Sequence, residues 1–179
     1  MIILGVDPGT LITGYAVVEN IGSKPRVLKC GDIKINPSFP LPLRLKKIYD
    51  SLAKIIDEFK PDEFAIETAF YSKNVQSTLK LGHARGVSIL AAVNKQIPAV
   101  EYSPREIKKS VVGNGSASKE QVRYMVSQIL KLKKPFKSFD VSDALAVALC
   151  HYNKLSNNNS RSSKWEDYVL NNPGKVSGA

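Results

Sequence analysis

Three apolar segments at the start of the chain have the pattern of β-strands. Residues 1–7 are apolar up to their final acid, Asp7, and a Pro-Gly turn follows directly. Residues 13–19 and 26–35 have the same strand-like character, with a Gly-Ser pair and a proline between them. Together these segments predict an antiparallel meander of three strands.

Beyond residue 40 the pattern alternates between helices and short strands. Apolar side chains between Leu45 and Phe59 recur three or four positions apart, opposite lysines and aspartates, and Pro61 ends this helix. Ser103 and Glu106 form the sequence signature of a capping box. The further predicted elements are strand Glu63–Glu67, helix 74–93, strand Ala99–Tyr102, a helix from Pro104 to a break at Gly113, a helix through Val122 and Leu132, and helix 139–152.

The order β-β-β-α-β-α-β-α-α-α predicts an α/β fold. Strands that meander and then alternate with helices favour a five-stranded mixed sheet flanked by helices. Its first three strands are predicted to be antiparallel and its last two parallel. Residues 1–152 form the predicted domain. The Asn- and Ser-rich residues 153–179 are predicted to be a mobile tail, with 165–170 as a short docking segment.

Composition narrows the range of functions. The chain has 179 residues, a net charge of +10 and a pI of about 9.6, which favours a polyanionic partner or reflects a surplus for solubility. Its apolar runs are far shorter than a membrane span, and its N-terminus is not that of a signal peptide. Cys30 and Cys150 match no metal or redox spacing, so we expect a cytoplasmic protein with reduced thiols.

Four acids occupy positions where acids are unusual. Asp7 and Glu67 each end an apolar strand, and Asp140 and Asp143 share one face of an apolar helix. Functional groups collect at the C-terminal ends of parallel strands, so Asp7 and Glu67 would lie side by side if their strands are neighbours. Singly, each acid has an ordinary structural explanation, such as a turn cap, a solvated strand end or a first-turn helix acid.

As a set, these acids favour metal-dependent chemistry. Close carboxylates repel one another unless a cation neutralises them. Mg²⁺ prefers carboxylate oxygens, and two such ions activate water and stabilise the leaving oxygen of a phosphodiester. With only two histidines in the chain, a His-rich site is not expected. Acids that bind Mg²⁺ within a basic chain indicate a nuclease.

The segments around these acids are similar to those of a known family. They are GVDPGTLITGYAVV at 5–18, DEFAIETAFYSKNVQSTLKLGHARGVSILAAV at 62–93, VVGNGSASKEQV at 111–122 and FDVSDALAVALCH at 139–151. Over residues 1–152 the chain resembles the bacterial RuvC family of Holliday junction resolvases, the crossover junction endodeoxyribonucleases, which have an RNase H-like fold.

The resemblance implies a role for particular residues. It implies that Asp7, Glu67, Asp140 and Asp143 are the metal-binding catalytic acids, and that Phe70 stacks on bases at the junction. It implies a position near the dimer interface for the helix with Arg85 and a Gly82/Gly86 stripe. The further DNA contacts that it implies are Tyr71, Lys73, Asn74, Lys108, Gly113, Ser116 and Lys119.

The resemblance also implies an activity. A homodimer would resolve a four-way DNA junction by two symmetric nicks that leave 5′-phosphate and 3′-hydroxyl ends, in homologous recombination and DNA repair. It would use two Mg²⁺ ions per site, with Mn²⁺ as a substitute, and work with branch-migration motors of the RuvA and RuvB type. The chain departs from the family in Val141-Ser142, in its Lys-rich residues 131–137 and in its tail.

Three alternatives stay open at the level of sequence. A YqgF-like nuclease of the same fold, acting on ribosomal RNA precursors, would share the D-x-G-T strand end. A non-catalytic junction-binding module would keep Phe70 and the lysines but would not need four acids. An actin-like ATPase would use Asp7 to Thr10 as a phosphate loop, although this chain is too short for a second domain of that kind.

Overall fold

The computed structural model describes residues 1–21, 24–68, 75–132 and 138–171, with side chains described up to residue 156. In chain order the elements are β1 (Ile2–Asp7), β2 (Ile12–Ile21), β3 (Lys24–Lys34), α1 (Leu41–Phe59), β4 (Glu63–Glu67), α2 (Val75–Val93), β5 (Ala99–Tyr102), α3 (Pro104–Val112), α4 (Lys119–Ile129) and α5 (Phe139–Asn171). This order is the one that the hydrophobic pattern predicts.

The five strands form one mixed sheet in the order β3-β2-β1-β4-β5. β1 pairs with β2, and β2 with β3, in antiparallel orientation. β1 pairs with β4, and β4 with β5, in parallel orientation. The predicted five-stranded mixed sheet is therefore confirmed.

Helices cover both faces of the sheet, because side chains alternate between the faces along each strand. Ile3 and Ala65 face a core that includes α3, α4 and α5. Leu4 and Val6 face a second core, built with α1 and α2. The first of these faces carries the candidate site.

Two glycines allow α5 to lie very close to the sheet. A Cβ on Gly5 in β1 would stand 2.4 Å from the carbonyl oxygen of Ala144, and a Cβ on Gly14 in β2 would stand 2.1 Å from that of Asp140. Real Cβ atoms do not approach backbone so closely, so any larger residue would push the helix away. The first turns of α5 are thus held against the C-terminal end of β1.

α3 and α4 begin at well-formed caps. Ser103 and Glu106 form a reciprocal capping box, and Ser118 and Gln121 form another. α3 ends at Gly113, whose φ of 84° lies in the left-handed region that glycine adopts without strain. These signals fix the ends of the two helices that form one wall of the candidate site.

α5 extends beyond its predicted end at residue 152. Its described contacts continue beyond that point: Lys154 Nζ lies 3.1 Å from Glu106 Oε1, and Asn153 Nδ2 donates to Ser110 Oγ at 3.2 Å. These tertiary contacts extend the helix into an Asn- and Ser-rich stretch whose composition alone disfavours it. The domain boundary at residue 152 and the mobility of 153–179 stay predictions.

Candidate active site

Asp7 and Glu67 lie side by side at the C-terminal edge of the sheet. The parallel register pairs Val6 with Ile66, so the next residue of each strand is one of the two acids. Both acids are partly buried and lie on the face covered by α5, since Val6 and Ile66 belong to the core on the opposite face. The expected juxtaposition of the two strand ends is therefore observed.

The first turns of α5 bring a third acid to these two. Asp143 has a side chain only 14% exposed and shares a cavity with Asp7 and Glu67. The cavity also has an apolar wall from α3 and α4 and two lysines at its rim. Its lining residues are Asp7, Pro8, Glu67, Thr68, Leu81, Pro104, Ile107, Lys108, Lys119, Val122, Asp143 and Ala146.

Asp140 lies beside the cavity but does not line it. Its Oδ2 accepts a hydrogen bond of 3.1 Å from the hydroxyl of Ser138. Its charge nevertheless acts on Asp7, as one of the causes of the raised pKa of that acid. The helical spacing of Asp140 and Asp143 thus places both acids at the site, while their side chains point to different neighbours.

Burial and like charges raise the pKa values of the two strand-end acids. Burial, followed by the charges of Asp143 and Asp140, raises the pKa of Asp7 to about 7. Burial, followed by the charges of Asp7 and Asp143, raises the pKa of Glu67 to about 8. Perturbed carboxyl groups in a cleft are typical of functional sites. Ionising both acids together requires nearby positive charge.

Part of that positive charge comes from Lys119. Its Nζ lies 3.0 Å from Asp143 Oδ2, and this hydrogen bond is the main cause that raises the pKa of Lys119. The same ammonium lowers the pKa values of Asp7 and Glu67, and Lys108 lowers that of Glu67. Lys119 therefore contacts the acid cluster directly, which the sequence did not predict.

The donor set suits a hard divalent cation in its chemistry. Carboxylate oxygens are the ligands that Mg²⁺ prefers, and the mutual repulsion of these acids favours a cation between them. Within the described residues, however, no three acidic, His or Cys side chains are arranged as they stand to hold one metal ion. Metal binding by the full set would require Asp143 to release Lys119.

The predicted DNA contacts fall into two groups. Lys108 and Lys119 lie at the cavity, and Gly113 and Ser116 lie in the loop between α3 and α4. The other predicted contacts lie outside the described residues: Phe70, Tyr71, Lys73 and Asn74. Arg85 forms an ion pair with Glu101 of β5, which ties α2 to the sheet edge.

Several polar residues that support the site were not predicted. Thr13 is fully buried, and its hydroxyl donates to the carbonyl of Gly9 at 2.7 Å, which braces the turn after Asp7. The backbone N–H of Thr68, the residue after Glu67, donates to the carbonyl of Tyr102 at 2.8 Å. The sequence offers only one signal for such supporting roles, which is a polar residue next to an acid that ends a strand.

Comparisons with known proteins agree with this site. The family model described as "Crossover junction endodeoxyribonuclease RuvC" matches residues 3–151. The protein of that name from Salinibacter ruber is 44% identical over 178 residues, which cover 99% of each chain. Its namesake from Aeromonas hydrophila is 52% identical over 151 residues, which cover 84% of this chain and 86% of the relative.

A solved structure gives the same result for the fold. Thermus thermophilus RuvC in complex with a Holliday junction substrate superimposes with a TM-score of 0.82 at 33% identity, covering 87% of this chain and 94% of that one. The RNase H-like fold implied by the resemblance is therefore confirmed. The chain belongs to the RuvC family of crossover junction endodeoxyribonucleases.

Proposed function

We propose that this protein resolves four-way DNA junctions by metal-dependent hydrolysis of phosphodiester bonds. The observation that carries the proposal is the cavity in which Asp7, Glu67 and Asp143 converge, with Lys108 and Lys119 at its rim. Acids that bind divalent cations supply the metal chemistry of phosphodiester hydrolysis, and lysines beside them attract the charged phosphate. A family member from T. thermophilus has been solved with a Holliday junction substrate.

We assign the metal sites to Asp7, Glu67, Asp140 and Asp143, and Mg²⁺ is the proposed ion, two per site, with Mn²⁺ as a substitute. When bound, these ions activate water and stabilise the leaving oxygen. The chain's own contribution is to hold the acids on rigid strand ends and a packed helix, partly shielded from solvent. Pro104, Ile107 and Val122 add an apolar wall that limits the water around the reacting phosphate.

The basic residues are proposed to hold the DNA backbone. The net charge of +10 provides long-range attraction to a polyanion. Lys108 and Lys119 line the cavity that holds the acids, and the loop with Gly113 and Ser116 connects the two helices that carry these lysines. Lys73 and Asn74 are proposed as further backbone contacts. Binding that depends on such contacts weakens steeply as salt rises.

Phe70 and Tyr71 are proposed to contact the bases at the junction. Phe70 lies three residues after the acid Glu67, and the family resemblance implies that it stacks on bases at the junction. Stacking of an aromatic ring on a base contributes about 1–3 kcal/mol. Phe70→Ala is therefore expected to spare metal binding and slow junction resolution, and an unchanged rate of resolution would remove this role.

A homodimer is proposed through α2. One face of this helix carries exposed apolar side chains: Val75 is 71% exposed, Leu79 59%, Leu90 48% and Val93 53%. Between them, a Cβ added at Gly82 or Gly86 meets open space among the described residues. These glycines would allow another backbone to come close, but no such backbone lies there within the described protomer. A second copy of α2 would cover the stripe and place two active sites on one junction.

We further propose that the products are duplexes with 5′-phosphate and 3′-hydroxyl ends, made in homologous recombination and DNA repair in the cytoplasm. Branch-migration motors of the RuvA and RuvB type are the proposed partners, because a resolvase needs a junction brought to its cutting site. Within the described residues, no helix combines the length and apolar composition that a membrane span requires.

The choice of substrate tests this function against its rivals. The assay compares a synthetic four-way junction, linear duplex and a ribosomal RNA precursor, each with and without Mg²⁺. Paired nicks in the junction that require Mg²⁺ are the expected result. Cleavage of the RNA alone would favour the YqgF-like alternative, and tight junction binding without any cut would favour the non-catalytic module.

A further inference from the structure

A fifth acid, Asp32, lies in the same row of the sheet as the candidate site. Gly14 in β2 pairs with Asp7 on one side and with Asp32 of β3 on the other. Residues paired in this way present their side chains to the same face of a sheet. Asp32 therefore faces α5, as Asp7 does, and its neighbour Ile33 belongs to the core on the other face.

Ser138, just before α5, connects Asp32 to one of the four assigned acids. Its hydroxyl lies 3.1 Å from Asp32 Oδ1 and 3.1 Å from Asp140 Oδ2, as donor to both. A serine hydroxyl has a single hydrogen, so the two carboxylates share it. Ser138, Asp32 and Asp140 are all partly buried, which limits the ability of water to replace this link.

The backbone of Asp140 is fixed at the same place. Its carbonyl oxygen lies over Gly14, 2.1 Å from the position that a Cβ there would take. With the backbone fixed by this contact, the remaining freedom of Asp140 is the rotation of its carboxylate. The Ser138 hydroxyl limits that rotation, and Asp32 holds the hydroxyl from its other side.

We propose that Asp32 is a positioning residue, which acts through Ser138 to orient the carboxylate of Asp140 for metal binding. This proposal rests on the proposed function, because it takes Asp140 as a metal ligand. Groups that hydrogen-bond a ligating carboxylate orient it, and their loss typically lowers metal affinity or activity by about 10–100-fold. A carboxylate has about four lone-pair sites, so the hydrogen bond from Ser138 leaves Asp140 able to bind a cation.

Two matched pairs of variants separate hydrogen bonding from charge. Asp32→Ala and Asp32→Asn remove the same charge, but only asparagine keeps an oxygen that accepts from Ser138. Ser138→Ala removes the donor, whereas Ser138→Thr retains a hydroxyl. Glu19→Ala removes one acid from the opposite end of β2 and is the control for net charge.

Two readouts are measured for each variant. The first is the rise in melting temperature of the protein alone as MgCl₂ is added, and the second is the Mg²⁺ dependence of junction cleavage. We expect Asp32→Ala and Ser138→Ala to raise the half-saturating Mg²⁺ concentration about tenfold in both readouts. The half-saturating Mg²⁺ concentrations of Asp32→Asn and Ser138→Thr should lie closer to that of the wild type, and that of Glu19→Ala should match it. In an Asp140→Asn background, Asp32→Ala should have no effect.

The proposal is overturned if Asp32→Ala and Ser138→Ala keep the wild-type half-saturating Mg²⁺ concentration. It is also overturned if Asp32→Asn is as impaired as Asp32→Ala, since charge alone would then explain the effect. If Asp32→Ala has a lower melting temperature than the wild type without Mg²⁺, the test rests on the two conservative variants, Asp32→Asn and Ser138→Thr. A wild-type protein that binds Mg²⁺ but cuts no junction would refute the proposed function alone, because the melting readout would still test Asp32.

Discussion

The carbonyl oxygen of Asp140 lies directly over Gly14, only 2.1 Å from where a Cβ on that residue would stand. Gly14 pairs with Asp7 in the neighbouring strand. A missing side chain in β2 therefore sets how close α5 comes to the end of β1. The arrangement of Asp7 relative to Asp143, one turn further along α5, depends on this contact.

Gly14→Ala is expected to push the start of α5 from the sheet. Overpacking of a core costs about 1–3 kcal/mol, and here the opposing atoms are backbone. A shift of about 1 Å in a catalytic arrangement costs roughly 100-fold in rate. Thermal melting and single-turnover junction cleavage measure the two effects.

The matched control for Gly14→Ala is Gly31→Ala in β3. There the added Cβ would stand 3.0 Å from the side chain of Tyr15 and not against backbone, so cutting should be retained. Wild-type melting and cutting by Gly14→Ala would show that α5 does not depend on this close approach.

Lys119→Met is expected to bind the junction more weakly than the wild type does. Its affinity should also fall less steeply as salt rises. The ammonium lies at the rim of the cavity, where a phosphate would pass, and the methionine stem preserves most of the apolar packing. Loss of one phosphate contact should lower the slope of log affinity against log salt by about 1. The control is Lys54→Met, at an exposed lysine of α1 on the opposite face of the sheet. Equal slopes for the two variants would exclude a phosphate contact at Lys119.

Leu79→Glu is expected to produce a folded monomer. The side chain is 59% exposed in the protomer, so the charge costs little folding stability, but it would be buried between two copies of α2. Sedimentation velocity should show the loss of the dimer, and junction cleavage should change from paired to single nicks. Leu43→Glu, at a leucine 49% exposed on α1, should stay dimeric. A dimeric Leu79→Glu would place the interface elsewhere.

His151 is expected to make the fold less stable as pH drops below about 6.5, whereas Asp7 and Glu67, whose pKa values are raised, favour the folded state as pH falls. This side chain is 2% exposed, and its Nδ1 lies 2.7 Å from the Tyr102 hydroxyl. Burial lowers the pKa of His151, and Lys154 lowers it further. The unfolded chain therefore binds this proton at a higher pH than the folded chain does, and the contribution of His151 to stability is lost from pH 6.5 downward.

Urea denaturation between pH 7 and 5 measures this dependence. Relative to its own value at pH 7, the unfolding free energy of His151→Asn at pH 5 should be higher than that of the wild type, because the titrating group is gone. His83→Asn, at the exposed histidine of α2, is the control. If both variants change the pH dependence by the same amount, the buried histidine does not make the expected contribution.

The sequence predicted the order and type of every element because strands and helices leave strong periodic patterns. The juxtaposition of Asp7 and Glu67 was also predictable, since both acids end apolar strands, although each acid alone has an ordinary structural explanation. The i, i+3 spacing placed Asp140 and Asp143 on one face of α5. Periodicity specifies a face but no rotamer, and the structure shows Asp143 with Lys119 and Asp140 with Ser138.

Features that depend on distant contacts were missed. The Lys119–Asp143 ion pair joins residues on two different helices, and no local pattern identifies it. α5 continues beyond residue 152, where composition indicated a tail, and Lys154 there contacts Glu106. Asp32 appears as one polar residue in an edge strand until the register places it beside Gly14.

The central claim is that the acid cluster cuts the junction but is not needed to hold it. Its most direct test is Asp7→Asn, measured for junction affinity and for single-turnover cleavage with Mg²⁺. Asparagine matches the size of aspartate but lacks its charge, so affinity should stay within about twofold while cleavage falls at least a hundredfold, as loss of a group that stabilises the transition state predicts. A variant that cuts the junction at the wild-type rate would contradict the account.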